Sequence, residues 1–410
     1  MRLRNYALVT GGYWVFTLTD GALRMLVLLH FNELGYSAVA IAFLFLAYEF
    51  MGILTNLIGG WAGSRTGLNR TLVAGLLIQI AALSTLTLLS DAWATWFAVT
   101  FVMTLQALSG IAKDLTKMSS KSAVKTVAGD GSLFRLVAIL TGSKNALKGV
   151  GFFLGAALLS SLGFDGALWS MVVALAVAVL ALVLFLNEDI GKSSRKATLR
   201  SALSPSRSIN RLSIARVFLF GSRDIWFVAA LPVFLADQLG WAHAGVGGFL
   251  AVWVIGYGIV QSFAPRVLLA TGQAGREVAA TRWWAMALLV VTIAIAVGVG
   301  IDTVATPTVV IGLIVFGVVF AMNSSLHSFL ILAYADDDGV SMDVGFYYSA
   351  NAVGRLVGTL LSGVLYLAGG ITIAMWGAAA FTALTWVLAG RLDAIPEHTE
   401  ISLDSVSAGD

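Results

Sequence analysis

Five basic side chains lie inside long apolar segments of this chain, where a membrane-spanning helix ordinarily carries no charge. They are Arg24, Lys144, Lys148, Arg223 and Arg355. Each costs about 2.5–3.5 kcal/mol at the centre of a membrane helix, so the five together cost on the order of 15 kcal/mol. A guanidinium group suits bidentate contacts to oxyanions, whereas an ammonium group acts as a point charge. These residues therefore predict reversible binding of a small polyanion.

Acidic residues are fewer in the same apolar segments, where they comprise Asp20, Glu49 and Asp224. We expect them to pair with the cations while no substrate is bound, or to carry coupling protons. His327 lies in a polar patch of another apolar segment and is a further candidate for coupling, with a hydrogen-bonded packing role as the alternative. Arg355 has a structural alternative too, as an ion pair with Asp20 or Glu49.

Two close pairs of opposite charge need separate treatment. Asp20 and Arg24 are four residues apart, so on a helix they can neutralise one another. Arg223 and Asp224 are adjacent and point to different helix faces, which disfavours their pairing. The first pair therefore leaves a structural alternative open, whereas the second predicts a cation available for a ligand.

Composition places the chain in a membrane. Apolar residues make up 59% of it and charged residues 11%, against about 25% charged in an ordinary soluble domain. The net charge is +3, and the charged residues lie mainly in short connecting segments, which argues against a nucleic-acid partner. The chain has no cysteine, which excludes disulfides and thiolate metal sites. We predict no cofactor and no metal.

Apolar runs of about 20 residues predict membrane-spanning helices. Twelve are predicted, at 6–31, 38–62, 70–90, 93–113, 134–161, 167–187, 213–236, 244–269, 283–300, 306–333, 343–368 and 371–390. All but five of the 25 Lys and Arg residues, including Lys113, Lys121 and Arg216, then fall on one side. Because such residues mark cytoplasmic segments, both termini are predicted to be cytoplasmic.

The predicted organisation is two pseudo-symmetric six-helix bundles. They cover residues 1–187 and 213–392, with a basic cytoplasmic linker at 188–212 and a tail at 393–410. Short matches recur at nearly one spacing: LGY at 34–36 with LGW at 239–241, and S-x-N-A at 143–146 and 349–352. This is typical of a parallel repeat, and substrate is expected at the interface of the two halves.

The segment between spans 2 and 3 reads GGWAGSRTGLNR. It resembles the gating motif of the major facilitator superfamily, G-x-x-x-D-R-x-G-x-R-R, at Gly60, Arg65, Gly67 and Arg70. The resemblance implies the twelve-helix major facilitator fold and transport by alternating access. Arg24 and Arg223 also resemble the arginines that hold phosphate on the same two spans of organophosphate antiporters.

A more specific resemblance rests on three stretches: TDGALRMLVLLHFNELGYS, SGIAKDLTKMSSKSAVK and LTGSKNALKGVGFFLG. Through them the chain resembles the ArsJ-type organoarsenical efflux permeases of bacterial arsenic-resistance operons, over essentially its whole length. The resemblance implies export of 1-arseno-3-phosphoglycerate across the inner membrane, conferring arsenate resistance. It also implies a functional partner, the glyceraldehyde-3-phosphate dehydrogenase that makes this compound from arsenate.

The residues themselves support a small polyanion without naming arsenic. The alternative is therefore a carrier of sugar phosphates or other organic anions with no arsenic preference. Lys113 and Lys117 are candidates for a cytoplasmic access route for the anion, with a helix-end position as the alternative. An intramembrane enzyme would need a cluster of catalytic groups at one depth, and the four histidines are scattered. We expect a monomeric transporter in the lipid bilayer and no enzymatic activity.

Overall fold

A computed structural model describes residues 2–34, 44, 46–90, 92–127, 133–186, 206–241, 243–273, 276–301, 305–336 and 340–395. The regular elements of these residues are helices. They are α1 Arg2–Glu33, α2 Leu46–Thr66, α3 Leu68–Leu86, α4 Thr95–Val127, α5 Leu133–Phe185, α6 Arg207–Phe227, α7 Ala230–Val233, a π-helical turn Phe234–Gln238, α8 His243–Ala270, α9 Glu277–Val299, α10 Ala305–Tyr334 and α11 Val340–Ala389.

Two of the helices are long enough to contain two predicted spans each, and each is interrupted by glycine. Gly163 in α5 has φ of +70°, and Gly370 in α11 has φ of +65°. Only glycine adopts such backbone angles without strain, so the chain turns at these positions. Described helical residues therefore lie within each of the twelve predicted spans, although residues 38–43 and 45 of the second span lie outside the described part.

Large apolar side chains remain exposed along the helices, among them Phe50, Val177 and Leu360. A soluble monomer rarely exposes apolar surface so extensively, whereas a bilayer solvates it. Within the described residues, eight helices are long and apolar enough to cross a membrane. The prediction of an all-helical, multi-pass membrane protein is confirmed.

The chain divides into two compact units, described here one at a time. Unit 1 comprises Met1–Ala128, Leu147–Ser204 and Asp336–Ser349. Its apolar core includes Phe16, Phe31 and Leu76. Its boundaries differ from the predicted bundle 1–187 in three places: residues 129–146 are grouped with the other unit, whereas residues 188–204 and 336–349 are grouped with this one.

Unit 2 comprises Gly129–Ala146, Pro205–Ala335 and Ala350–Asp410. Its core is rich in aromatic side chains, including Trp226, Phe316 and Phe320. The rings of Phe316 and Phe320 stack, and Trp226 packs edge-on against Phe316. Such aromatic contacts add about 0.5–1.5 kcal/mol each beyond the area they bury.

The same glycine pattern brings two helices together in each unit. In unit 1, a Cβ atom on Gly151 of α5 would lie 2.5 Å from the backbone oxygen of Leu18 in α1. In unit 2, a Cβ atom on Gly358 of α11 would lie 2.7 Å from the backbone oxygen of Gly221 in α6. Small residues allow backbones to approach this closely. These two crossings place the charged residues described next.

Candidate functional site

In unit 1, two cations share one aromatic ring and one carboxylate. Arg24 Nη2 of α1 donates to Glu49 Oε1 of α2 at 2.9 Å, and Lys113 Nζ of α4 lies 3.7 Å from Glu49 Oε2. Both cations also lie over the ring of Tyr48, at 5.1 Å for the Arg24 Cζ atom and 3.8 Å for Lys113 Nζ. A cation over an aromatic face gains about 0.5–2 kcal/mol. Tyr48 therefore holds both cations independently of the carboxylate.

The hydroxyl of Tyr48 connects this group to a second carboxylate. It donates to Asp20 Oδ1 at 2.5 Å, and Lys148 Nζ of α5 lies 3.7 Å from Asp20 Oδ2. Lys148 is beside Asp20 because its own backbone oxygen lies against Gly21, where a Cβ atom would be only 2.6 Å away. The close crossing of α1 and α5 thus sets this ion pair.

A third carboxylate, Asp114, is almost fully buried between two ammonium groups. Asp114 Oδ2 lies 3.7 Å from Lys113 Nζ, and Asp114 Oδ1 is paired with Lys117. Lys117 and Lys121 both lie over the ring of Tyr348, with Nζ atoms 4.6 and 4.9 Å from its centroid. Tyr348 belongs to α11 but is part of unit 1. The first turns of α11 therefore contribute to this side-chain group.

These contacts leave unit 1 with more positive than negative charge in the described group. The group contains five cations and three carboxylates, so its formal charge is +2. The cations are Arg24, Lys113, Lys117, Lys121 and Lys148, and the carboxylates are Asp20, Glu49 and Asp114. Burial of charge is costly unless it is compensated. Since cations outnumber carboxylates among the described residues of the group, the arrangement is suited to contact an oxyanion.

Unit 2 contains a smaller group built on one buried carboxylate. Asp224 of α6 has a side chain that is 1% exposed. Its Oδ1 atom accepts from Arg223 Nε at 2.7 Å, and its Oδ2 atom accepts from Arg355 Nε of α11 at 3.2 Å. Asp224 lies at the crossing of α6 and α11, with its Cβ atom 3.0 Å from the Cβ position at Gly358. Two guanidinium groups share one carboxylate here, again with a positive formal balance.

A second buried cation of unit 2 is Arg216, which lies about two turns before Asp224 on α6. Arg216 is 2% exposed, and its Nε atom donates to Asn351 Oδ1 at 2.9 Å. Its Nη1 atom lies 3.4 Å from Ser324 Oγ, and its guanidinium lies 3.8 Å from the ring centroid of Phe220. The sequence predicts Arg216 as a cytoplasmic charge, and its burial among α6, α10 and α11 corrects that prediction.

The polar contacts continue from Ser324 through α8 to α5. Tyr257 and Gln261 each donate to Ser324 Oγ, at 2.9 and 3.1 Å. Asn145 then donates to the Gln261 side-chain oxygen at 2.6 Å. Asn145 and Asn351 are the asparagines of the two S-x-N-A matches, and each bonds to a buried polar group of unit 2. The repeated motif therefore has a structural use at both positions.

His327 of α10 is fully buried in unit 2, and neither ring nitrogen has a hydrogen-bond partner among the described residues. The packing alternative considered above, a hydrogen-bonded histidine, is not observed within that part of the chain. No set of three or more His, Asp or Glu side chains suited to a metal ion occurs in the residues that the structure describes.

The two predicted site lysines of α5, Lys144 and Lys148, are four residues apart and fall in different units. Lys148 belongs to unit 1, whereas Lys144 is half-buried and belongs to the segment grouped with unit 2. Lys113 and Lys117, predicted as an access route, belong to the ion-pair group of unit 1 together with Arg24 and Glu49.

Three predictions about pairing change. Arg223 does pair with adjacent Asp224, so the prediction that they would not pair was wrong. The long arginine side chain reaches the short carboxylate although the two residues begin on different helix faces. Within unit 2, the acid observed on Arg355 is also Asp224. Asp20 is observed in contact with Lys148 and Tyr48, and Arg24 is observed in contact with Glu49.

Several residues of these groups were not identified from the sequence. Tyr48 and Tyr348 carry no signal that distinguishes them from other aromatic residues of membrane helices. Lys121 was treated as a cytoplasmic charge, yet it is 4% exposed. Its spacing from Lys113 and Lys117, four residues at each step, was the available signal, because this spacing places all three on one helix face.

The gating motif is described in part. Gly67 has φ of +91° and precedes α3, where its backbone oxygen accepts from the Thr71 amide. Such an angle favours glycine, so Gly67 is needed for the turn from α2 to α3. Arg70 is exposed on the first turn of α3. Gly60 and Arg65 lie in α2, and the Arg65 side chain is outside what is described.

A family model matches well over half of the chain. Residues 9–268 match the model of the Major Facilitator Superfamily. No curated protein sequence matches the chain.

Solved structures with the same fold cover nearly all of it. The human organic anion transporter MFSD10 (TETRAN) has a TM-score of 0.75 and 16% identity, covering 95% of this chain and 99% of its own. The proton:xylose symporter XylE has a TM-score of 0.78 and 12% identity, covering 99% and 98%. A bacterial homologue of the iron transporter ferroportin has a TM-score of 0.78 and 11% identity, covering 95% and 99%.

The chain belongs to the major facilitator superfamily. Its fold is the one predicted, and it is a membrane transporter rather than an enzyme. The solved structures, at 11–16% identity, show the fold and carry different substrates in their titles. Substrate class must therefore be argued from the charged groups of this chain.

Proposed function

We propose that this transporter exports a small organic polyanion, 1-arseno-3-phosphoglycerate, from the bacterial cytoplasm across the inner membrane. The observation that carries the proposal is the cation-rich group of unit 1: among its described residues, four basic side chains pair with three acids, and a fifth, Lys121, lies over the ring of Tyr348. A transporter of cations would be expected to have the opposite balance. Unit 2 adds Arg223 and Arg355 on a single carboxylate.

The chemistry of the compound suits these groups. It carries a phosphate ester and an acyl arsenate, so it presents oxyanion groups to basic side chains. Unit 1 contains the cations Arg24, Lys113 and Lys148. Unit 2, taken by itself, contains Arg223 and Arg355. Guanidinium groups bind such oxygens in bidentate geometry, and lysines add charge without fixed geometry.

The arsenic assignment rests on the resemblance to ArsJ-type permeases. The charged groups alone support an organic anion, so a sugar-phosphate or other organic-anion carrier is the second candidate. Both candidates use the same cations. They differ in whether transport requires arsenate and the dehydrogenase that converts it.

The test uses everted membrane vesicles from cells that produce the transporter. Radioactive arsenate, glyceraldehyde-3-phosphate, NAD and glyceraldehyde-3-phosphate dehydrogenase are added together, and arsenic retained in the vesicles is counted. Omitting any one component should abolish uptake if the organoarsenical is the substrate. Uptake from arsenate alone would indicate a simple oxyanion carrier, and uptake of 3-phosphoglycerate without arsenic would support the second candidate.

Site variants make the same assay specific. Arg24→Gln and Arg223→Gln each remove one cation of the two groups and should reduce uptake at least about tenfold, the equivalent of about 1.4 kcal/mol in binding. Arg135→Gln removes an exposed arginine of α5 by the same chemical change and should not reduce it. Equal uptake by all three variants would refute the assignment of the binding groups.

A further inference from the structure

Glu49 is held as an oxyanion ligand would be held. Each of its carboxylate oxygens faces a different cation, Oε1 at 2.9 Å from Arg24 Nη2 and Oε2 at 3.7 Å from Lys113 Nζ. A phosphate, arsenate or carboxylate group of a substrate presents the same two features, negative charge and paired oxygens. Glu49 thus occupies the position that the proposed function assigns to substrate.

Exposure separates Glu49 from the other acids of the two groups. Its side chain is 25% exposed, and that of Arg24 is 28% exposed. Asp20 is 6% exposed and Asp114 is 2% exposed, and each has contacts on both oxygens from inside the unit. Displacing Asp20 or Asp114 would require breaking buried contacts, whereas Glu49 can leave its cations toward the accessible side.

The two cations that contact Glu49 also have contacts that do not involve it. Arg24 and Lys113 both lie over the Tyr48 ring, and Tyr48 is itself fixed by its hydrogen bond to Asp20. A ring in this place is a neutral support, so it holds the cations without competing for an anion. An incoming oxyanion can therefore replace Glu49 while the cation geometry is preserved.

We propose that Glu49 is an internal substitute for the substrate, which occupies the anion site of the empty transporter and is displaced when substrate binds. This inference rests on the proposed function. Its consequence concerns the return step of alternating access. With Glu49 in place, Arg24 and Lys113 keep this shared counter-ion when no substrate is bound, so the empty transporter can rearrange and net export is possible. Without it, this counter-ion is supplied by substrate alone, so the return step favours the loaded transporter and the protein becomes an exchanger.

The test compares net transport with exchange in proteoliposomes of the purified protein. The mixture of arsenate, glyceraldehyde-3-phosphate, NAD and dehydrogenase is placed outside for net flux, or on both sides for exchange, with radioactive arsenic outside in each case. Glu49→Gln keeps the size of the side chain and removes its charge. We expect net flux to fall at least about tenfold while exchange stays within about twofold of the wild type.

A second measurement is independent of transport. Tryptophan fluorescence of the purified protein, titrated with 3-phosphoglycerate, reports anion binding. If Glu49 occupies the anion site in about nine-tenths of the molecules, the apparent affinity for a ligand falls about tenfold. Glu49→Gln should therefore bind 3-phosphoglycerate about tenfold more tightly than the wild type. Weaker or unchanged binding would overturn the inference, even if the variant folded poorly in liposomes.

Two comparisons complete the experiment. Asp165→Asn removes an exposed acid of α5 and should leave both fluxes unchanged. Glu49→Asp retains a carboxylate and should recover net flux relative to Glu49→Gln. Net flux and exchange falling together, or neither changing, would overturn the role of Glu49. A wild type with no flux of either kind would instead refute the proposed function, and the inference with it.

Discussion

Asp224 is the residue whose removal should have the largest effect on stability, because two guanidinium groups depend on it. Its carboxylate is buried and accepts from Arg223 Nε at 2.7 Å and from Arg355 Nε at 3.2 Å. Asp224→Asn preserves the shape of the side chain, so the change is one of charge. The packing around it is unchanged, and no cavity is formed.

The expected magnitude follows from what the variant leaves behind. Removing one partner of a buried ion pair typically costs about 3–5 kcal/mol, because the remaining charge is left uncompensated. Arg223 and Arg355 have side chains 15% and 28% exposed, so water compensates part of this charge. We therefore expect a loss near the lower end of that range, about 3 kcal/mol.

Reversible unfolding in mixed micelles, followed by far-UV circular dichroism, measures this loss. The informative control is the double variant Asp224→Asn with Arg355→Met, which removes one of the two stranded cations. If the uncompensated charge causes the loss, the double variant should lose about 1–2 kcal/mol less stability than the two single-variant losses added together. Strict additivity, or a wild-type stability for Asp224→Asn, would refute the reasoning.

Three further variants test how the helices are positioned. Gly258→Ala should cost about 1–3 kcal/mol in micelle unfolding, since its Cβ atom would lie 2.6 Å from a backbone oxygen of α5, whereas Gly256→Ala on the same helix has open space and should be neutral. Gly21→Ala should reduce substrate uptake, because its Cβ atom would lie 2.6 Å from the backbone oxygen of Lys148 and would push α5 away. Gly11→Ala, which has open space, should not reduce uptake. Equal uptake by the two variants would contradict the proposed role of this crossing. Arg216→Lys should cost about 1–3 kcal/mol, because an ammonium cannot reproduce the guanidinium contacts, and an unchanged unfolding midpoint would show that these contacts contribute little.

The helical architecture could be predicted because its signal is local. A membrane span needs only about 20 consecutive apolar residues, and a charge within such a run can be recognised without knowing the neighbouring helices. Arg24, Lys148, Arg223 and Arg355 were identified in this way, and the structure places all four in ion pairs. The breaks at glycine, such as Gly163, also fall between predicted spans.

Residues near helix ends could not be assigned in the same way. Lys113, Lys121 and Arg216 lie where an apolar run gives way to polar sequence, and hydropathy treats such cations as loop charges. Whether a side chain there extends to water or turns inward depends on what the adjacent helices offer. Here they offer Glu49 and Tyr48 to Lys113, so the decisive information lies on a different helix, far away in sequence.

The internal repeat bears on which acids are permanent parts of the transporter. Asp20 and Asp224 are 204 residues apart, close to the offset of 205 between LGY and LGW, and each is buried at a glycine-mediated crossing beside a cation of the fifth or eleventh span. Glu49, shifted by 205, corresponds to Val254. Asp20 and Asp224 thus correspond in the two halves, whereas Glu49 and the buried Asp114, which corresponds to Val319, are acids of unit 1 alone; of these two, Glu49 is the exposed one. A fixed counter-ion is needed wherever a cation is buried, in either half, but one internal substitute is sufficient for one substrate group. The asymmetry therefore favours a permanent structural role for Asp20 and Asp224 and a transport role for Glu49.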